Sequence, residues 1–263
     1  MTFEDITVNV EDGIGILSFN RPDQYNTVRL QTMKEICEGI NRLENDKDVK
    51  VIIIRGEGKH FCAGIDLSIL GDAAKMPPVE IVNQVYTHFQ GAVRSVYNCR
   101  KPTIIAISGA AVTFGCELAL ACDFRLVSDS AVFKEIWIKV GLLAPLGGLF
   151  LLPRIVGLGR AKQMVLRGEP ITAEVAVEIG LAIEVVSRDK LDARAKELAF
   201  ELSFLPPLAY SAAKQALHRG LETTMEAEWS TNVLNQAVLL SSNDFREGVK
   251  AVKEKRRPNF QGS

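Results

Sequence analysis

One carboxylate and two short runs of small residues are the parts of this sequence best suited to chemistry. Glu117 follows the run Ser108 to Gly115 and lies in the first turn of a predicted helix, Cys116 to Cys122. A helix N-terminus offers unpaired N–H groups and the positive end of the helix dipole. Such N–H groups can stabilise negative charge on an oxygen, and a neighbouring carboxylate can move a proton. Glu117 could instead serve only to complement the dipole.

The second run of small residues, Ala63-Gly64, follows an apolar segment, Val51 to Arg55, that is typical of a buried strand. Small residues let a ligand approach the backbone and leave N–H groups aimed outward. Alone, the run is equally typical of a plain strand-to-helix turn. Together, the two runs can supply one N–H each to a carbonyl oxygen, with Glu117 beside the adjacent carbon. Each such donor typically contributes a factor of roughly 100–1000 in rate.

The elements that must hold these loops alternate between strands and helices in the first half of the chain. A hairpin is predicted around Asp12-Gly13, because alternating apolar and polar residues flank it. The predicted strands are Ile6 to Val10, Gly15 to Phe19, Val51 to Arg55, Thr103 to Ile107 and Phe124 to Ser128, and the predicted helices are Arg29 to Glu44, Val79 to Tyr97 and Cys116 to Cys122. This order predicts an α/β fold with the site loops at strand ends.

The second half of the chain is predicted to be mostly helical. The predicted elements are a helix from Ala173 to Ile179 with Thr172 as its N-cap, a strand from Leu181 to Val186, and helices at about 190–204, 207–219, 223–241 and 245–256. Asp244 and Glu247 have the spacing of a capping pair. We place a boundary near residue 200, which gives a core domain of residues 1–200 and a C-terminal helical region of residues 201–263.

Charge and composition exclude several classes of function. The net charge is −1, so no global basic field supports nucleic-acid binding. No stretch approaches the roughly 20 apolar residues of a membrane span, and the acidic N-terminus does not resemble a signal peptide. The five cysteines are odd in number and the three histidines are scattered. We therefore expect a cytoplasmic protein with reduced thiols and without a metal site.

Motifs along nearly the whole chain carry a family resemblance. They are Asn20-Arg21-Pro22, Phe61 to Asp66, Ile107 to Ala110, Gly115 to Ala119, Ala121 to Asp123, Val140 to Leu142 and Glu254 to Phe260. Each motif is weak alone, but their order and spacing are specific. The sequence resembles the crotonase, or enoyl-CoA hydratase/isomerase, superfamily.

The resemblance implies a fold, a substrate class and a set of site residues. The fold would be a crotonase-type spiral of strand–strand–helix repeats with a C-terminal helical trimerisation region, forming a homotrimer or a dimer of trimers. The substrate would be an acyl-CoA thioester, with coenzyme A as part of the substrate and no separate cofactor. The implied catalytic groups are Glu117 and the N–H groups of Ile65 and Phe114. The implied substrate-binding residues are Asp23, Gln24, Tyr25, Ala63, Gly64, Asp66, Leu67, Trp137, Arg256 and Arg257.

The two arginines belong to a basic cluster at the end of the chain. With them stand Lys250, Lys253 and Lys255. The cluster is typical of a solvated helix end that complements its own dipole. It would also suit a phosphate contact to coenzyme A across a subunit boundary.

The sequence departs from the family pattern at three positions. Trp137 stands where hydratases carry a second glutamate, and Glu135 or Lys139 could substitute for it only with difficulty. In an extended chain Glu135 would lie about 7 Å from position 137. Phe114 replaces a glycine, so its ring could narrow the acyl pocket or stack on a flat acyl group; equally, the rings of Phe114 and Trp137 could simply pack in the core, as most aromatic rings do. Pro145 stands near the place where dienoyl isomerases have an aspartate.

These departures leave one carboxylate for a reaction that usually uses two. Hydration of an enoyl-CoA, with Glu117 activating water and then protonating the α-carbon, is the favoured hypothesis, and Trp137 would shape an apolar acyl pocket. Isomerisation, hydrolysis or decarboxylation by the same group stays open, as does a non-catalytic acyl-CoA-binding homologue. The identity of the acyl group is also open.

Overall fold

A six-stranded mixed sheet lies at the centre of the protein. The computed structural model describes residues 3–263, so Met1 and Thr2, which begin the predicted core domain, lie outside the described residues. The strands are β1 (Ile6–Glu11), β2 (Ile14–Phe19), β3 (Val51–Gly56), β4 (Thr103–Ile107), β5 (Ala110–Val112), β6 (Phe124–Ser128), β7 (Val132–Lys134), β8 (Ile171–Thr172) and β9 (Glu184–Val186). The central sheet has the order β1-β2-β3-β4-β6-β9, in which only the β1–β2 pair is antiparallel.

Twelve helices surround the central sheet and a smaller sheet of order β5-β7-β8 within residues 3–263. They are α1 (Leu30–Asn45), α2 (Leu67–Ala73), α3 (Pro78–Glu80), α4 (Thr87–Tyr97), α5 (Phe114–Ala121), α6 (Gly148–Val156), α7 (Leu158–Arg167), α8 (Ala173–Glu178), α9 (Leu191–Leu202), α10 (Pro207–Gly220), α11 (Met225–Ser241) and α12 (Asn243–Glu254). A π-helical segment, Ile81–Tyr86, joins α3 to α4, and a 3₁₀ turn, Trp137–Val140, follows β7.

The buried strands divide their side chains between two apolar layers. Successive residues of a strand point to opposite faces of the sheet. Ile52 and Ile54 therefore pack with α1 and α4 in one layer, whereas Val51 and Ile53 pack with α9 in the other. Because helices cover both faces, β3 and β4 need apolar residues at every buried position. This confirms the prediction of doubly buried strands and an α/β fold.

The parallel strands place the loops that follow them along one edge of the sheet. The loops after β2, β3 and β4 contain residues 20–29, 57–66 and 108–109. The carboxyl ends of parallel strands meet at the same edge, which is where open α/β sheets bind ligands. Both small-residue runs singled out in the sequence lie at or just beyond this edge.

Several predicted elements differ in detail from the structure. The stretch from Gly109 to Gly115 is not a simple loop, since it contains β5, and α5 begins at Phe114, two residues before the predicted helix. The strand predicted from Leu181 to Val186 is only β9. Helices α2, α6 and α7 were not predicted, because Gly71, Pro153 and Gly159 interrupt their patterns.

The predicted capping pair at the start of α12 is wrong. The Ser242 hydroxyl accepts from the Phe245 N–H at 3.0 Å, so Ser242 is the N-cap. The Asp244 carboxylate instead accepts from the N–H groups of Gln261 and Gly262, at 2.7 and 2.9 Å. Asp244 therefore holds the C-terminal tail against the helix.

Helix α11 carries large apolar side chains in solvent. Met225, Trp229, Val233, Leu234 and Val238 are each between 60% and 70% exposed. We call these five residues the α11 apolar surface. No helix within residues 3–263 is long and apolar enough to cross a bilayer.

Candidate active site

The N–H of Ile65 is free to bind a ligand because of how its segment pairs with Val28. The Val28 N–H donates to the Gly64 carbonyl at 2.9 Å, and the Asp66 N–H donates to the Val28 carbonyl at 3.0 Å. In this parallel bridge the flanking residues make the bonds, so the N–H of Ile65 points away from Val28.

The N–H of Phe114 is free because it opens helix α5. The first N–H groups of a helix have no partner four residues earlier. Within residues 3–263, neither Phe114 nor Ile65 donates a backbone hydrogen bond to a protein acceptor. The structure thus leaves both implied donors available.

Two close approaches hold the segments that carry these donors together. Gly64 has a φ of +98°, and a Cβ placed on it would lie 2.6 Å from the Thr113 hydroxyl. A Cβ on Gly115 would lie 2.8 Å from the Cβ of Cys62. Only glycine fits at these two positions, so the loop after β3 and the start of α5 pack directly against each other.

Thr113 holds a strained backbone conformation immediately before the Phe114 donor. Its φ is 44°, in a region that β-branched residues rarely adopt. Conformations of this kind cost about 1–3 kcal/mol and persist where the surroundings impose them. Here the Thr113 N–H donates to the Lys134 carbonyl at 2.8 Å. The strain turns the chain from β5 into α5 and exposes the Phe114 N–H.

The Phe114 ring packs in the core. It is fully buried and meets Phe89 edge to face, with ring centroids 6.4 Å apart. Of the alternatives left open by the sequence, the structure therefore supports core packing and not a ring that lines the acyl pocket. An edge-to-face contact in the apolar core is the more stable place for a phenylalanine ring.

Glu117 is buried and receives three hydrogen bonds. Its Oε1 accepts from the Trp137 indole N–H at 2.9 Å, and its Oε2 accepts from the N–H groups of Leu146 and Gly148 at 2.8 and 2.7 Å. A Cβ on Gly148 would lie 2.9 Å from Oε2, so glycine is required there. Sequence reasoning missed these two backbone donors, although the Gly147-Gly148 pair was a signal for them.

Burial dominates the electrostatics of Glu117. It raises the pKa of this carboxyl to about 7, although the hydrogen bonds from Gly148, Leu146 and Trp137 oppose the shift. A pKa near neutrality lets one group accept a proton and return it within a reaction cycle.

Trp137 does more than shape an apolar wall. It begins the 3₁₀ turn Trp137–Val140, so this stretch is not extended. Its side chain is buried, and the indole N–H is directed at Glu117. Trp137, at the position where the family resemblance implies a second glutamate, therefore donates a hydrogen bond to Glu117.

Neither of the weak substitutes for that second glutamate is placed to act. Glu135 is buried, and its carboxylate oxygens have no hydrogen-bond partner in the described part of the chain. Burial, and next the charge of Glu117, raise the pKa of Glu135 well above its usual range. Lys139 extends toward Gly168, where an added Cβ would lie 2.6 Å from its Cε.

The implied coenzyme A contacts from the first half of the chain lie side by side. Asp23 and Gln24 belong to a short 3₁₀ turn that leads into Tyr25. The Tyr25 carbonyl accepts from the Ala63 N–H at 3.0 Å, which places this turn along the segment from Ala63 to Leu67. Tyr25 and Leu67 are 59% and 73% exposed, so this side of the cleft is open. Gly64 and Asp66 complete the segment.

The two C-terminal arginines are not brought to this cleft within one chain. Arg256 forms ion pairs with Glu247 and Glu254, and the Arg257 guanidinium lies 4.1 Å from the centre of the Phe204 ring. The tail from Phe260 to Gly262 lines a cavity with Lys50 and Pro102, which precede β3 and β4. That is the sheet edge opposite the candidate site, so the two arginines lie apart from the site within one chain.

Two free N–H groups, one of them at the start of the helix that carries a buried carboxyl with a near-neutral pKa, are the groups that acyl chemistry through an enolate requires. No group of three or more histidine, cysteine, aspartate or glutamate side chains within residues 3–263 is arranged to hold a metal ion.

Comparison with known proteins assigns the family. The model of the enoyl-CoA hydratase/isomerase family matches residues 9–263. A crotonyl-CoA hydratase of Syntrophomonas wolfei is 32% identical over 99% of both chains. A 1,2-epoxyphenylacetyl-CoA isomerase of Escherichia coli is 32% identical over 98% of this chain and 99% of its own. The crystal structure of an enoyl-CoA hydratase from Bacillus anthracis superimposes with a TM-score of 0.91, at 30% identity, over 99% of this chain and 100% of that one. The chain belongs to the enoyl-CoA hydratase/isomerase family and has the crotonase fold.

Proposed function

We propose that this protein hydrates an enoyl-CoA thioester, with Glu117 as its only acid/base. One observation carries the proposal: Glu117 is held by three hydrogen bonds with a pKa of about 7, one helical turn beyond the free N–H of Phe114. Glu117 lies in the first turn of α5, the helix whose N-terminus carries the Phe114 N–H.

The proposed reaction needs one proton to move twice. The thioester oxygen accepts hydrogen bonds from the N–H groups of Ile65 and Phe114. The oxygen of a water molecule adds to the β-carbon while ionised Glu117 takes one of its protons. The electron pair of the carbon–carbon double bond moves to form the enolate, whose oxygen carries the charge. Glu117 then returns the proton to the α-carbon, and each oxygen-binding donor accelerates the reaction by roughly 100–1000-fold.

Coenzyme A enters this proposal as part of the substrate, with no separate cofactor. Its adenine end would lie near the segment from Asp23 to Thr27 and along the segment from Ala63 to Asp66. The exposure of Tyr25 and Leu67 supports this placement, since a large polar ligand needs an open approach.

Isomerisation is the second candidate, and the single usable carboxyl favours it. One acid/base can move a proton between two carbons without water. A non-catalytic acyl-CoA-binding protein is less consistent with the site, because a buried carboxyl with a raised pKa lowers stability and binding alone does not need it.

We also propose that the protein assembles as a homotrimer or a dimer of trimers through its C-terminal helices. The α11 apolar surface supports assembly, because soluble monomers rarely expose contiguous apolar patches of this extent.

The decisive experiment compares the wild type with Glu117→Gln on a panel of enoyl-CoA esters. Loss of a general acid/base lowers the rate by about 100–10,000-fold. Glu135→Gln is a matched control, since Glu135 is equally buried and has no step in the proposed reaction. Product mass separates hydration, which adds one water, from isomerisation, which leaves the mass unchanged. Undiminished turnover by Glu117→Gln would refute the assignment.

A further inference from the structure

Gln90 ties helix α4 to the loop that holds Glu117. Its side-chain amide nitrogen donates a hydrogen bond to the Pro145 carbonyl at 3.0 Å. Because a carbonyl oxygen only accepts, the nitrogen of the amide and not its oxygen must face this partner. The preceding residue, Phe89, packs its ring against that of Phe114. Neighbouring side chains of α4 therefore contact both the residue with the free N–H and the loop that donates to the carboxyl.

The Pro145 carbonyl and the Leu146 N–H belong to one peptide unit. This peptide is trans and planar, so its C=O and N–H bonds point in opposite directions. The Gln90 amide nitrogen lies 3.0 Å from the oxygen at one edge, and Oε2 of Glu117 lies 2.8 Å from the nitrogen at the other. A rotation of the plane that breaks the first hydrogen bond therefore also turns the Leu146 N–H away from Glu117.

Proline at position 145 leaves this peptide one main rotation. The pyrrolidine ring fixes φ near −65°, so the plane turns chiefly through the ψ angle of Pro145. Packing does not fill the space around it, since Gln90, Pro145, Leu146 and Gly147 line a cavity of about 310 Å³. No backbone N–H within residues 3–263 donates to the Pro145 carbonyl. The Gln90 amide is thus the contact that selects the orientation of this peptide.

We propose that Gln90 is a positioning residue of the active site, whose amide holds the Pro145–Leu146 peptide so that the Leu146 N–H stays directed at the Glu117 carboxylate. The inference deepens the proposed function and rests on Glu117 as its acid/base. Gln90 acts through Leu146 and moves no proton itself. A well-aligned N–H stabilises the ionised carboxylate, and a hydrogen bond to the carbonyl of the same peptide polarises that N–H further.

Gln90→Met tests this role, because it removes the amide and keeps a side chain of similar length. Burial raises the pKa of Glu117 to about 7 against the bonds from Gly148, Leu146 and Trp137, so a weaker Leu146 bond raises this pKa further. We expect the midpoint at which kcat/KM rises with pH to increase by about 0.4–1 unit, the range for loss of one hydrogen bond. Hydration of crotonyl-CoA at pH 7 then falls about two- to fivefold and recovers at higher pH.

A spectroscopic titration measures the same shift without substrate. The Trp137 indole is hydrogen-bonded to Oε1 of Glu117, so its fluorescence should change when the carboxyl ionises. Trp229→Phe removes the other of the two tryptophans of the chain. The difference in emission between this protein and its Glu117→Gln form isolates the titration of Glu117. Adding Gln90→Met should move the midpoint upward by as much as in the kinetic profile.

Ser95→Ala is the matched control. It also removes a side-chain hydrogen bond to a carbonyl from α4, since the Ser95 hydroxyl donates to the Ala92 carbonyl at 2.7 Å, but it leaves Pro145 untouched. Both midpoints should stay at their wild-type values. Burial raises the pKa of the titratable groups that also feel the charge of Glu117, and these groups are the same in every variant: Tyr86, Cys116 and Glu135.

The two readouts separate the inference from the proposed reaction. An unchanged Trp137 titration in Gln90→Met, or an equal shift in Ser95→Ala, would overturn the positioning role of Gln90. A wild type that does not hydrate crotonyl-CoA, in a protein whose Trp137 titration does shift with Gln90→Met, would refute the hydratase proposal and leave the positioning of Glu117 by Gln90 in place.

Discussion

The indole N–H of Trp137 donates a 2.9 Å hydrogen bond to Oε1 of Glu117, the buried carboxyl group of the candidate site. The bond favours the ionised form of Glu117, while burial favours the protonated form and dominates. The balance between them sets the pH at which Glu117 can act as a base. Position 137 thus influences the ionisation of Glu117, the proposed acid/base.

Trp137→Phe should shift the pH dependence of turnover upward. In the wild type kcat/KM should rise with pH through about 7, because Glu117 must be ionised to accept a proton. Without the indole donor its pKa rises further, by about 0.4–1.1 units for a bond contributing about 0.5–1.5 kcal/mol. Activity at pH 7 falls and recovers at higher pH.

Tyr97→Phe is the control for this shift, since it also removes an aromatic hydrogen-bond donor, but one whose hydroxyl has no partner within residues 3–263. Its pH profile should match that of the wild type. A Trp137→Phe profile with an unchanged or lower midpoint would contradict the role assigned to the indole.

Gly64→Ala should disrupt the oxygen-binding donors without unfolding the protein. The new Cβ would lie 2.6 Å from the Thr113 hydroxyl and would occupy a backbone with a φ of +98°. The two loops must separate, and with them the N–H groups of Ile65 and Phe114. We expect kcat to fall by roughly 100-fold or more, as for loss of one donor.

Gly71→Ala is the control, since nothing lies within 4 Å of its added Cβ in the described part of the chain. Equal activity of both variants would contradict the prediction.

Glu135→Gln should stabilise the protein increasingly as the pH rises. The pKa of Glu135 in the folded protein lies well above the ordinary value of 4.5. Unfolding therefore releases its proton above pH 4.5, and wild-type stability falls by up to about 1.4 kcal/mol per pH unit until the pH reaches the folded pKa. Glutamine cannot ionise and escapes this loss. Urea unfolding between about pH 5 and pH 8 measures the difference.

Glu35→Gln is the contrasting control. Glu35 is also buried, but its oxygens accept from the Glu4 and Asp5 N–H groups, each at 2.8 Å. Removing its charge should destabilise the protein at neutral pH, because buried charge-assisted bonds are lost. A stability gap between wild type and Glu135→Gln that does not change with pH would show that Glu135 is ionised in the folded state.

Leu234→Asp should dissociate the proposed oligomer. Leu234 is 70% exposed in the single chain, and a subunit interface there would bury it. A buried unpaired carboxylate costs far more than an exposed one. Analytical ultracentrifugation should show the wild type as a trimer or hexamer and the variant as smaller species. Lys34→Asp, an exposed change on α1, should leave assembly intact. A monomeric wild type would refute the proposal.

Apolar residues that recur at every second position, or at helical spacing, correctly predicted the main strands and helices of the central sheet region. Met33, Ile36, Ile40 and Leu43 recur on one face of α1, and all four are buried. The short strands β5 and β8 were not foreseen, since three- and two-residue strands have no detectable period. Contacts that depend on the fold, such as the meeting of Gly64 with Thr113, have no local signal at all.

In the candidate site, too, features with a local sequence signal were predictable and contacts between distant segments were not. Glu117 was identifiable because its type and its place in the first turn of a helix are local properties. The bonds to it from Trp137, Leu146 and Gly148 were not, because they join segments 20 to 31 residues apart. The direction of the Phe114 ring likewise depends on Phe89, which lies in another helix.

Both proposed oxygen-binding donors, those of Ile65 and Phe114, are main-chain N–H groups, so they do not depend on which side chains these positions carry. Replacing either side chain leaves the donor in place, provided that the new residue is not proline. The proposed proton transfer depends instead on side chains, those of Glu117 and Trp137, and a single substitution can replace either one. Substitutions around Glu117 can therefore change the reaction, while the proposed binding of the thioester oxygen by the main chain is kept.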